Sequence, residues 1–126
     1  MLVSQSLSLK KSDKLLNKSD FSEVFKYKKT FNTEKNLRIF YYINNQNQQR
    51  FGLIVSKRVS KKAVDRNYMK RLIREWFRYN RSYLPRGDYI FCVKNQFSHQ
   101  NFYEVNRELD HFKSHIQKKF YGRYTH

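Results

Sequence analysis

The segment from Ala63 to Tyr79 constrains the fold more than any other part of the chain. Its large apolar residues recur at steps of three and four, while another side carries a basic residue at every fourth position. This spacing, about 100° per residue, predicts an amphipathic helix. The apolar side consists of Met69, Leu72, Ile73, Trp76 and Phe77. We interpret it as core, which would hold the helix so that its basic side is presented rigidly.

The segments around this helix have the pattern of strands. Leu37–Ile43 is rich in β-branched and aromatic residues and predicts one strand, and Phe51–Ser56 predicts another. Asn44–Gln49 contains only Asn and Gln, which suits a hairpin loop, so these two strands are expected to pair antiparallel. Pro85–Asp88 predicts a turn that leads into a later strand, Tyr89–Lys94.

Two further helices are predicted at the ends of this region. Asp20 and Glu23 have the spacing of a capping box that opens a short helix. A last helix is expected from Asn101 to Gln117, with Val105, Leu109, Phe112 and Ile116 as its buried stripe. A short strand near Thr30–Thr33 is an additional candidate. The predicted fold class is α+β, in the order α-β-β-(β)-α-β-α, with helices packed on one mainly antiparallel sheet.

Length and charge bound the function. The 126 residues fit a single domain over 1–126, with a loose arm over about 1–14 and a frayed basic tail over about 118–126. A net charge of +17 indicates a polyanionic partner, and an aromatic share of 17% is too high for a disordered basic tail. No apolar run approaches the ~18 residues of a membrane span. The start of the chain is too polar for a signal peptide, so we expect a cytoplasmic protein without a membrane partner.

The basic side of the central helix is the strongest functional signal. Residues 57–81 contain ten Lys and Arg against two acids, Asp65 and Glu75. Arg66, Lys70 and Arg74 are stacked at successive steps of four, and like charges at that spacing repel by about 0.2–0.5 kcal/mol per pair. Folding stability does not require this arrangement, whereas a phosphate backbone does. The pattern therefore predicts a face that binds a polyanion.

The residues that could perform chemistry form no convincing site. The ten acids are scattered, three glycines leave no phosphate-binding loop, and the single Cys92 excludes an internal disulfide. His111 and His115 share a helix face, but no Glu accompanies them in a metal-binding motif, so they are interpreted as surface residues. We assign no catalytic residue and no metal ligand to the protein.

The stretch from Lys57 to Glu75 carries a family resemblance. Its Arg66-Asn67, Lys70-Arg71 and Arg74-Glu75 pairs closely resemble the "RNR" signature of the bacterial ribonuclease P protein component. Asp20-Phe21 with Val24-Phe25-Lys26 is similar to the family's first helix, and Asp88-Tyr89-Ile90-Phe91 to its late strand. The chain departs from the family at Tyr68, where a basic residue is usual.

The resemblance implies two RNA-binding surfaces. The residues expected to dock on the catalytic RNA subunit are Lys57, Arg58, Lys61, Lys62, Arg66, Asn67, Lys70, Arg71, Arg74 and Arg78. A central cleft would grip the 5′ leader of precursor tRNA through Phe21, Phe25 and Phe40. Lys26, Arg38 and Tyr89 are weaker candidates for this cleft. The residues alone leave a second interpretation open, since Phe21, Phe25 and Tyr41 could equally be ordinary core.

The resemblance also implies the activity and an unusual topology. The chain would be the protein subunit of an endoribonuclease that removes the tRNA 5′ leader, with one protein per RNA. The RNA subunit and the Mg²⁺ ions it holds would perform the hydrolysis. The basic helix would connect two parallel strands by a left-handed crossover, against the general rule. The alternatives are a ribosomal protein or RNA chaperone, a free-standing nuclease, and a double-stranded DNA-binding protein.

Overall fold

A computed structural model describes residues 18–43 and 49–121. Within these two ranges, three helices and four strands follow one another in the predicted α+β order. They are α1 (Lys18–Tyr27), β1 (Lys29–Asn32), β2 (Leu37–Ile43), β3 (Arg50–Ile54), α2 (Ala63–Asn80), β4 (Gly87–Val93) and α3 (Phe102–Tyr121). The candidate strand near Thr30 is confirmed as β1. Short 3₁₀ turns at Arg81–Tyr83 and His99–Asn101 follow α2 and precede α3.

The order of strands in the sheet corrects the predicted hairpin. The sheet runs β1-β2-β4-β3, so β2 and β3 are not neighbours, and the prediction that they pair with each other was wrong. β4 lies between them, antiparallel to β2 and parallel to β3. Its residues are almost all buried, as expected for a strand that is covered on both faces.

The parallel pair depends on α2. β3 and β4 are adjacent and parallel, and α2 lies between them in the sequence, so the basic helix forms the predicted βαβ crossover. Its handedness stays a prediction. The last residues of β3 therefore lead directly into the basic segment that precedes α2.

One face of the sheet carries the main core. The stripes predicted for α2 and α3 are both buried, and they pack on the sheet residues Leu37, Ile39, Tyr41, Phe91 and Val93. Aromatic rings fill much of this layer, and the Phe51 and Phe77 rings stack with centroids 4.8 Å apart. Tyr41 is buried in this core, so the interpretation of Tyr41 as a core residue is confirmed.

The ends of the helices differ from the sequence pattern. α1 already includes Lys18, so Asp20 lies inside the helix rather than at its cap. α3 continues to Tyr121, so Lys118 is helical rather than frayed. The predicted arm over 1–14, residues 44–48 of the predicted loop and residues 122–126 lie outside the described residues.

A buried polar network ties the sheet to α3. Glu108 accepts hydrogen bonds from the backbone N–H of Asn36, at 3.1 Å, and from its side-chain amide, at 2.8 Å. The same amide also donates to Glu104, at 2.9 Å. Because Asn36 and Glu108 are both buried, these bonds fix the turn between β1 and β2 against the helix.

Candidate nucleic-acid interface

The basic segment before α2 is an ordered turn. The Val59 N–H donates to the Ser56 carbonyl at 3.1 Å, which closes a β-turn with Lys57 and Arg58 at its two central positions. Both side chains are exposed. The guanidinium of Arg66 donates to the carbonyls of Ser60, at 2.8 Å, and Lys61, at 2.9 Å. Arg66 therefore holds the turn against α2, a role that its spacing in the sequence did not indicate.

The N-terminus of α2 has the properties of an anion site. Lys62 is the N-cap residue and makes no side-chain capping bond, and both Lys61 and Lys62 are exposed. Lysines at the positive end of a helix dipole are unfavourable on their own. A phosphate bound there would interact favourably with the lysines and with the free N–H groups of the first turn.

The exposed side of α2 brings four of the predicted residues together. Asn67, Lys70, Arg71 and Arg74 line one shallow depression together with Val64 and Tyr68. Within residues 18–43 and 49–121, the three cations of this set form no ion pair. We call these three residues, Lys70, Arg71 and Arg74, the α2 patch. It is a concentration of positive charge without an acidic partner among the described side chains.

Arg78 stands apart from the α2 patch. Its guanidinium pairs with Glu75 at 2.5 Å and lies 4.9 Å from the centroid of the Tyr79 ring. Part of its charge is thus already neutralised within the helix. The four basic residues at steps of four are therefore not equivalent, because Arg66 and Arg78 have intramolecular roles that Lys70 and Arg74 lack.

The second predicted surface lies on the opposite face of the sheet from the main core. There Val24 of α1 packs on Ile90 of β4, and the rings of Phe21 and Phe40 lie against this pair. Phe25 is 36% exposed, and its ring centroid lies 6.4 Å from that of Phe21 and 5.1 Å from that of Phe40. The structure thus gathers the three predicted rings into one cluster, which we call the ring cleft.

Charged groups surround the ring cleft. The Lys28 ammonium lies 5.3 Å from the centroid of the Phe40 ring, where a cation is attracted by the ring electrons. Arg38 is exposed on the same sheet face and donates to the Asn32 side chain at 2.9 Å. Lys26 is exposed on α1 beside Phe25. Sequence reasoning missed Lys28, although it lies in a run of basic residues directly after the predicted helix.

An ion pair on the same face of the sheet was also not predicted from the sequence. Arg50 and Asp88 are register partners on β3 and β4, and their side chains form a bidentate ion pair at 2.9 and 3.0 Å. The pair explains why an Asp stands at the start of the late strand, since it ties the two parallel strands together. No sequence pattern could find it, because the order of the strands was not known.

Tyr89 does not belong to the ring cleft. It is 0% exposed on the core face of β4, and its hydroxyl donates to the Pro85 carbonyl. The prediction that it contacts the leader was therefore wrong, because residues alternate between the faces of a strand and Ile90, not Tyr89, points toward α1. Cys92 lies on the ring-cleft side, where burial raises the pKa of its thiol to about 11.

The turn centred on Lys57 and Arg58, which we call the basic turn, is connected to the ring cleft through β3. Ile54, the last residue of β3, is a register partner of Cys92 and so lies on the ring-cleft face of the sheet. The chain enters the turn of Lys57 and Arg58 three residues later. The turn of Lys57 and Arg58 therefore follows directly on a strand whose last residue lies on the ring-cleft face.

Two negative findings concern only the described part of the chain. Across residues 18–43 and 49–121, His, Cys, Asp and Glu side chains nowhere converge in groups of three or more that could hold a metal ion. None of the helices in the same ranges combines the length and the apolar character needed to cross a bilayer.

Comparison with known proteins agrees with this architecture. The family model described as Ribonuclease P matches residues 9–117. The chain belongs to the ribonuclease P protein family. The "Ribonuclease P protein component" of Chromobacterium violaceum is 36% identical over 91 residues, which are 72% of this chain and 74% of that protein. The protein of the same name from Legionella pneumophila is 36% identical over 103 residues, 82% and 88% of the two chains.

Solved structures agree as well. The ribonuclease P protein from Thermotoga maritima superposes with a TM-score of 0.66 and 26% identity, and covers 82% of this chain and 96% of its own. A mutant of the Staphylococcus aureus ribonuclease P protein superposes with a TM-score of 0.69 and 25% identity, over 94% and 95% of the two chains. Family and fold thus support the resemblance seen in the basic helix.

Proposed function

We propose that this ribonuclease P family member binds the catalytic RNA of ribonuclease P through the α2 patch and the basic turn, and the 5′ leader of precursor tRNA through the ring cleft. The holoenzyme would remove the leader, with one protein per RNA. The observation that carries the proposal is the pairing of two different surfaces: three cations without a described acidic partner on α2, and three clustered rings on the other face of the sheet.

The α2 patch suits a folded RNA. A cation that neutralises a phosphate releases condensed counterions, and this entropy gain drives binding without sequence selection. Lys61 and Lys62 at the free helix N-terminus add a site for a further phosphate. Because the cations stand on a helix whose apolar stripe is buried, they are presented without large ordering cost.

The ring cleft suits a single strand. Bases stack on exposed rings, at about 1–3 kcal/mol per base, and a nearby cation contacts the backbone. The half-exposed Phe25 and the ammonium of Lys28 beside Phe40 provide both kinds of group. A 5′ leader is single-stranded and present only in the precursor, so this contact would distinguish precursor from mature tRNA.

In this proposal the chemistry belongs to the RNA subunit. Mg²⁺ held mainly by that RNA would supply the metal-assisted in-line hydrolysis of the phosphodiester. The protein would lower the repulsion between two large polyanions, which would tighten substrate binding and lower the Mg²⁺ requirement. The cytoplasmic location stays a prediction.

The test is precursor-tRNA cleavage by a bacterial ribonuclease P RNA at low millimolar Mg²⁺, with and without the protein. We expect the protein to restore cleavage, and the double variant Lys70→Gln/Arg74→Gln to lose most of this effect. A matched variant, Lys35→Gln/Arg107→Gln, removes the same charge from exposed positions outside α2 and should retain it. Failure of a correctly folded wild-type protein to rescue cleavage, or cleavage by the protein alone, would contradict the proposal.

A further inference from the structure

A groove between α2 and α3 adjoins the α2 patch, with which it shares Arg71, and lies apart from the ring cleft. Its floor is formed by Leu72 and Trp76, and its walls by Tyr68 and Tyr79 on α2 and by Phe102 on α3. The volume is about 400 Å³, within the ~300–1,000 Å³ that is usual for small-molecule sites. Such a groove is large enough for a planar ring system.

The rings that border this groove are unusually exposed. Tyr79 is 55% and Phe102 45% exposed, although the main core lies directly beneath them. Single exposed rings are common on protein surfaces, whereas a cluster around a groove marks a binding site. Leu72 and Trp76 are buried and already cover the core at this point, so neither exposed ring is needed to shield it from solvent.

Charge identifies the occupant. Tyr68 and Arg71 line both this groove and the depression of the α2 patch, so the two sites are continuous. The one acid at the groove, Glu75, is paired with Arg78, whose guanidinium also lies over the Tyr79 ring. A flat aromatic ligand with a phosphate attached fits this arrangement, with its ring in the groove and its phosphate on Arg71.

Polar groups are available for the edge of such a ligand. The side-chain amide of Asn106 lines the groove and uses one donor hydrogen on the Phe102 carbonyl, at 2.8 Å. Its amide oxygen is an additional acceptor. Trp76 is held in place by its Nε1–H, which donates to Asp110 at 2.9 Å.

We propose that the groove binds one unpaired nucleotide of the ribonuclease P RNA, with the base stacked between Tyr79 and Phe102 and the adjoining phosphate on Arg71. This inference rests on the proposed function, since it names a further contact with the same RNA. It explains a departure from the family, because an aromatic Tyr68 borders this groove where a basic residue is usual.

Trp76 allows a direct test, because it is the only Trp of the chain and lies at the floor of the groove. We expect a single-stranded hexaribonucleotide of adenosine to quench its fluorescence in the full chain, and tripolyphosphate at equal charge to leave it unchanged. Quenching should disappear in Tyr79→Leu and in Phe102→Leu. Equal quenching by tripolyphosphate, or unchanged quenching in both variants, would overturn the proposal.

Affinity for the whole RNA gives an independent test. Tyr79→Leu and Phe102→Leu should each weaken binding to ribonuclease P RNA roughly 5- to 150-fold, with no change in salt dependence because no cation is lost. Tyr83→Leu is the matched control, since that ring is 56% exposed and lies outside the groove. Thermal melts followed by circular dichroism establish that both groove variants are folded.

The outcomes separate this inference from the proposed function. If the wild-type protein binds the RNA and the groove variants bind equally well, the groove assignment is wrong and the proposed function stands. If the groove variants weaken only the binding of precursor tRNA to the assembled holoenzyme, or change only self-association, the assignment to the RNA subunit is likewise wrong. If the wild-type protein does not bind the RNA at all, the proposed function is contradicted, and the groove assignment that rests on it is contradicted with it.

Discussion

Replacing the α2 patch by glutamines measures how many phosphates this helix neutralises. Lys70, Arg71 and Arg74 line one depression and have no ion-pair partner among the described residues, so each is free to contact a phosphate. Each phosphate contact contributes about 0.7–0.9 to the slope of log affinity against log salt concentration. The triple variant should therefore reduce the slope by about 2–3.

The slope converts into an affinity difference that is easy to measure. Between 50 and 200 mM salt, loss of three contacts means that wild-type affinity falls about 20- to 40-fold more than that of the variant. The assay is equilibrium binding to labelled ribonuclease P RNA at fixed Mg²⁺ over this salt range. Arg78→Gln should change the slope by less than the roughly 0.7–0.9 expected for one phosphate contact, because Arg78 is already paired with Glu75 at 2.5 Å.

Two results would refute this reasoning. One is a triple variant that binds more weakly but with an unchanged slope, which would mean that the α2 patch acts through packing rather than through phosphate contacts. The other is an equal loss of slope in Lys35→Gln/Arg107→Gln/Lys118→Gln, which removes three exposed charges outside α2. That result would mean that net charge, rather than its position on α2, drives binding.

Three further outcomes are expected. Phe25→Ala should cost about 1–2 kcal/mol of stability, because the side chain is only 36% exposed and packs on Phe21 and Phe40, and it should lower the preference for precursor over mature tRNA in competition binding. Glu108→Ala should destabilise the fold by about 2–4 kcal/mol in urea unfolding, since it leaves the buried Asn36 donors without their main acceptor. Because burial raises the pKa of the Cys92 thiol to about 11, its thiolate fraction at pH 8 is about 100-fold below that of a free thiol, and since a more basic thiolate is a stronger nucleophile, its alkylation should be at least about 10-fold slower. A rate like that of a free thiol would show that the ring-cleft side is more open than the structure has it.

Features that depend on local spacing could be predicted from the sequence. The helical period of Met69 to Phe77 is set by neighbours three and four residues apart, so α2 and its buried stripe follow from the sequence alone. The same reasoning located α3, while the content of β-branched and aromatic residues located β2 and the turn at Pro85–Asp88 located β4. The two RNA-binding surfaces were suggested by charge and aromatic content together with the family resemblance.

Features that depend on which elements become neighbours were decided only by the tertiary structure. Strand order is a long-range property: β4 lies between β2 and β3 and is buried along almost its whole length, although its sequence is no more apolar than that of β2. The face of Tyr89 follows from that placement, since alternation alone allows either side. The same holds for Arg66: spacing could not show its bonds to the turn, because the position of those carbonyls depends on how the chain folds back before α2.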